Sequence, residues 1–112
     1  MGDAIRKVMI GDVVLMLFLG AEDDERTVDN LDVQVNYPDG ARYSASIMTI
    51  VAVQRIMRNH ETSGESLGGR YFKAHDLVIV QRGGVVEIVD LVRGLIEANE
   101  VSYTFDDIGP ED

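Results

Sequence analysis

The sequence predicts an α+β domain: a mostly antiparallel sheet of about four to five strands with two helices packed on one face, in the order β-β-β-α-β-α. Three observations predict it. Residues 31–47 alternate apolar and polar side chains on both sides of a Pro-Asp-Gly turn, the period of a half-buried hairpin. Val85, Ile88, Val89, Val92, Leu95 and Ile96 recur at helical spacing. Residues 76–81 form a short apolar run between polar bounds, which reads as a strand buried on both faces in the middle of the sheet. A chain of 112 residues suffices for one core, so residues 1–112 are read as one domain with an acidic C-terminal tail from about residue 106.

Residues 1–11 fit either a short first strand or a frayed helical turn. Residues 13–19 are too continuously apolar for a half-exposed strand and belong inside the sheet or under a partner. Residues 21–30 are acidic, lack periodicity and read as a solvated loop. In the hairpin, Pro38 suits position i+1 of a type I turn and Gly40 the left-handed position of a bulge. Tyr37 then faces Ala41, and the register pairs Val35 with Tyr43, Val33 with Ala45 and Leu31 with Ile47. Thr49 is the N-cap of a helix over about residues 50–59, with Ile50, Val53, Ile56 and Met57 on its apolar face and a stop at Thr62-Ser63-Gly64. Gly83-Gly84 breaks the chain before the last helix, Asn99 terminates it, and residues 101–105 suggest a short edge strand.

Composition excludes several functions. With 20 Asp+Glu against 10 Lys+Arg the net charge is −10, which repels a phosphate backbone and argues against nucleic acid. The chain has no cysteine, hence no disulfide, thiolate nucleophile or Cys-ligated metal, and this fits a reducing cytoplasm. The apolar run at residues 13–19 falls far short of the ~20 residues of a membrane helix. The acidic stretch behind it is unlike a signal-peptide cleavage site.

Candidate chemistry is sparse. His60 and His75 neighbour Glu61 and Asp76 in sequence, but adjacent side chains do not face one another, so neither pair is a ready dyad. Gly64-Glu65-Ser66-Leu67-Gly68 matches the bare pattern of a nucleophile elbow with the strand and helix on the wrong sides. Gly68-Gly69-Arg70 is either an anion cradle or a structural turn, leaving Glu65, Ser66 and Arg70 as a possible anion or ligand loop. Glu22, Asp23, Asp24 and Glu25 lack the ligand spacing of a calcium loop. No cofactor or metal site is expected.

Residues 31–49, and residues 64–72 running on into Asp76-Leu77-Val78-Ile79-Val80, resemble a group of small bacterial proteins. Their shared pattern is strand, Asp-Gly turn, strand, Thr-capped helix, Gly-Glu loop, strand, helix. The likeness covers about half of the chain and is to the small acidic immunity proteins that guard bacteria against contact-dependent and other polymorphic toxins. It implies a non-enzymatic protein-binding domain with a basic, nuclease-type toxin as partner. The acidic residues expected to meet that partner are Glu22, Asp23, Asp24, Glu25, Asp29 and Asp32. Two other readings stand beside it: a self-associating domain dimerising through residues 13–19, and a small hydrolase or ligand-binding protein using residues 64–72.

Overall fold

The computed structural model describes residues 4–110. Four antiparallel strands come first: β1 (Ala4–Ile10), β2 (Val13–Leu19), β3 (Asn30–Asn36) and β4 (Arg42–Thr49). Helices α1 (Ile50–Ser63) and α2 (Glu65–Gly69) lead to β5 (Leu77–Val80), which lies parallel to the second half of β4. Helices α3 (Val85–Glu97) and α4 (Val101–Thr104) then return the chain to β6 (Asp106–Asp107), antiparallel to the first half of β4. The result is an α+β fold dominated by its sheet, with six strands and four helices among the described residues.

Residues 4–10 resolve the opening ambiguity as a strand. Ile10 pairs with Val13 across a two-residue loop, and Gly11 at φ 63° supplies the positive φ that such a tight hairpin requires at its first central position. The central hairpin has the register its alternation dictates: Tyr37 N–H donates to the Ala41 carbonyl, and Leu31, Val33 and Val35 oppose Ile47, Ala45 and Tyr43. Tyr37 and Tyr43 meet edge to face at 5.8 Å, and burial with Tyr43 and Asp39 nearby raises the Tyr37 phenol above its ordinary pKa.

One face of the sheet holds the core. Leu15, Leu17, Leu31, Val33, Val35, Ala45 and Ile47 are buried there against Val85, Ile88 and Val92 of α3, with Val101 and Phe105 closing one end. Helix α3 runs as its spacing predicts, and Asn99 at φ 57° ends it.

Three expectations are corrected. The run at residues 76–81 is not central: β5 is a four-residue strand at the end of the sheet, and Ile79 is 52% exposed. Continuous apolarity cannot distinguish a central strand from an edge strand whose two faces both touch apolar neighbours. Residues 101–104 form α4, with Phe105 as its C-cap, and not an edge strand, because Val101 and Phe105, four apart, are buried together while Tyr103 between them is exposed. Nor do the two predicted helices share one face of the sheet in equal measure. Helix α1 is capped by Thr49 Oγ1 and closed by Gly64 as expected, but Ile50 is exposed and its buried residue is Ala52, outside the main core.

The predicted tail begins as structure. Asp106 and Asp107 pair with Ser44 and Tyr43, and Arg42 donates to the Gly109 carbonyl at 2.9 Å. Glu111 and Asp112 lie outside the described residues. No helix among the described residues is long and apolar enough to cross a membrane.

Candidate functional site

Strict alternation gives the sheet a second face, and the register sorts it into columns. On β1 and β2 it presents Ile5 and Met9, then Val14, Met16 and Phe18. Ile5 and Met9 are exposed and the other three half-buried. On β3 and β4 it turns polar, with Asn36, Gln34 and Asp32 opposite Arg42, Ser44 and Ser46. This face is closed locally at the β4–α1 junction, where Met48 and Ala52 are buried.

At the polar centre two carboxylates from distant segments, Asp32 and Asp76, share Ser46, and the register sets a third, Asp106, opposite Ser44. Ser46 Oγ lies 2.8 Å from Asp32 Oδ1 and 2.9 Å from Asp76 Oδ1, and Ser44 Oγ donates to Asp76 Oδ2 at 3.1 Å. Asp106 is 2.8 Å from His75 Nε2, an ion pair only when the imidazole is protonated. A hydroxyl carries one proton, so Ser46 donates to one carboxylate at a time and leaves acceptor capacity on the other. No Arg or Lys forms an ion pair with Asp32, Asp76 or Asp106 among the described residues.

The acidic loop is different, because arginines neutralise much of it from within. Asp24 accepts the Arg26 N–H at 2.8 Å and its guanidinium more loosely, and these bonds hold its carboxyl below the ordinary range. Glu25 pairs with Arg6, and Asp29 takes both terminal nitrogens of Arg55. The Arg55 bond lowers Asp29 below the usual carboxylate range and raises Arg55 in turn. Asp23 accepts the Gly20 N–H at 2.7 Å, and Glu22 is exposed. Of the six residues expected to meet a partner, Asp32 alone belongs to the open face of the sheet.

In the Gly64–Arg70 loop the chain turns left-handed, with Ser66, Leu67 and Gly68 at φ 53°, 54° and 70°. Gly68 N–H donates to the Gly64 carbonyl and Arg70 N–H to Ser66, so these two amides are spent inside the turn. Glu65 lies 3.4 Å from His60 Nε2, while His60 Nδ1 is buried without a hydrogen-bond partner. The adjacent-residue pairs dissolve as expected: His60 faces Glu65 and His75 faces Asp106. No group of three or more His, Asp or Glu residues among those described could hold a metal ion.

Sequence reasoning missed Asp76, Asp106 and the two serines as a cluster. The hairpin register already places Ser46 opposite Asp32, but only the return of two remote segments to the β4 edge adds the other carboxylates. Compared with protein-family models, characterised proteins and solved structures, the chain matches none.

Proposed function

We propose that this chain is a non-enzymatic protein-binding domain of the immunity type, which neutralises a basic, nuclease-type toxin by holding it against the open face of its sheet. One observation carries the reading: Asp32 and Asp76 share the Ser46 hydroxyl on that face, and Asp106, beside His75, lies opposite Ser44. Their charge stays available to a partner's Lys or Arg, whereas three carboxylates of the 21–29 loop are already matched by arginines. The column of Val14, Met16 and Phe18 beside them supplies an apolar surface for the same partner. The net charge of −10 adds long-range attraction, which speeds capture of a basic protein.

The test is calorimetric titration of the purified chain with the basic protein encoded beside its gene. The reading expects a one-to-one complex that weakens roughly tenfold or more from low to high salt. It expects a comparable loss in the triple variant Asp32→Asn, Asp76→Asn, Asp106→Asn. Absence of a complex, or one indifferent to both changes, overturns it.

A further inference from the structure

The core face of the sheet ends in an aromatic corner. Tyr37 continues the parity of Leu31, Val33 and Val35, and Tyr43 lies opposite Val35, so both rings pack at the margin of the core, away from Asp32 and Asp76. Their centroids are 5.8 Å apart and their planes meet at 85°. The angle of such an edge-to-face pair is bounded by a face of each ring, and each face carries the negative part of the ring quadrupole. Both rings line a cavity of about 220 Å³ between the hairpin tip and the turn from α3 into α4.

The remaining lining fixes the sign of charge the cavity accepts. Ala41 and Val101 add apolar surface, Asn99 and Ser102 add neutral polar side chains, and Asp39 adds a carboxylate. Asp39 accepts the Ala41 N–H through Oδ1 at 2.9 Å and takes part in no ion pair among the described residues, which leaves its second oxygen to a ligand. No Lys, Arg or His lines this cavity, whereas four larger hollows of the surface each include at least one arginine. Arg42, next to Tyr43 in the chain, donates instead to the carbonyls of Gly109 and Pro110.

We infer that this corner binds the trimethylammonium head of a small organic cation. A methylated ammonium spreads its charge over apolar methyl groups that pack on ring faces, and it needs no hydrogen-bond acceptor aimed at it. A primary ammonium is a compact, strongly hydrated charge, and one free carboxylate oxygen replaces little of the water it would lose. The cavity is smaller than the pocket of a drug-sized ligand and suits a head group whose tail stays in solvent. It lies on the opposite side of the sheet from the proposed toxin-binding face, so a ligand here leaves that face free.

The test is titration of the isotope-labelled full chain with choline and with dimethylbutanol, the uncharged isostere in which carbon replaces the nitrogen, followed by amide NMR. Choline is expected to saturate with a Kd on the order of 1 mM and to shift the amides of residues 37–43 and 99–102. The isostere keeps the methyl groups without the charge and should bind at least about fivefold more weakly. Tyr37→Phe preserves the ring face and should hold the affinity to within about twofold, whereas Tyr43→Leu should weaken it at least about fivefold. Asp39→Asn, on an exposed turn and still able to accept the Ala41 N–H, should weaken choline by about two- to fivefold and leave the isostere unchanged, which frees the test from any core substitution. A peptide bearing trimethyllysine presents the same head; whichever of the two binds more tightly identifies the source as free solute or protein side chain, and either order upholds the site. No saturable shift at choline concentrations on the order of 50 mM overturns the inference. So does an isostere that binds as tightly as choline, or an affinity for choline indifferent to Asp39→Asn.

Discussion

Truncating neighbours on β2 tests whether its two faces meet different environments. Leu17 is fully buried in the core, and Met16 beside it lies half-buried on the open face, accepting a hydrogen bond from Asn36 through its sulfur. Leu17→Ala removes three carbon groups, worth roughly 2.4 kcal/mol at about 0.8 kcal/mol each. The unfilled space adds about 1–2 kcal/mol, for a total of about 3–4 kcal/mol. Met16→Ala strips a side chain that already meets water, and about 1 kcal/mol is expected. Against a total stability of about 5–15 kcal/mol the first loss is large and the second minor. In urea titrations followed by circular dichroism, a slope of roughly 1–3 kcal/mol per M converts these losses to a midpoint fall of about 1–4 M for Leu17→Ala and about 1 M or less for Met16→Ala. Equal midpoint shifts at unchanged slope would refute the assignment of faces, and with it the open surface proposed for binding.

Two glycines are expected to respond in opposite directions to alanine. A Cβ on Gly84, at φ 94°, would stand 2.7 Å from the Arg26 carbonyl oxygen, so Gly84→Ala should destabilise by at least about 2 kcal/mol. At Gly94 the added methyl meets nothing within 4 Å inside a helix, and thermal unfolding should show a gain of about 0.5–1 kcal/mol. Leu67 is exposed in a left-handed conformation, so Leu67→Gly is expected to relieve about 1 kcal/mol of strain; a loss of stability would argue against the turn. The Asp29 carboxyl is depressed by Arg55, so the pair's contribution is complete above the ordinary carboxylate range and disappears as pH falls through the lowered folded value. Arg55→Ala should therefore cost less than about 1 kcal/mol at neutral pH, since the pair is partly solvated, and nothing at pH well below that range; a difference that persists in acid would rule out the ion pair as its source.

Local patterning alone determined the central hairpin, because a period of two with a Pro-Asp-Gly turn admits one register that keeps Leu31, Val33 and Val35 with Tyr43, Ala45 and Ile47. It likewise determined α3, the Thr49 cap and the Gly64 stop, each a contest between residues a few positions apart. Tertiary structure alone decided the place of residues 77–80 at the end of the sheet and the helical state of residues 101–104. An apolar run carries no mark of which strand it will lie beside, and Val101-x-Tyr103-x-Phe105 satisfies the strand period as well as the helical spacing of its two ends. The same limit hid the candidate site. Charge counts exposed the acidic loop, but the pairing of Arg6 with Glu25 and Arg55 with Asp29, 19 and 26 residues apart, neutralises it through space. Asp32, Asp76 and Asp106 lie instead on either side of Ser44 and Ser46 of β4, an arrangement of segments that no local signal in the chain records.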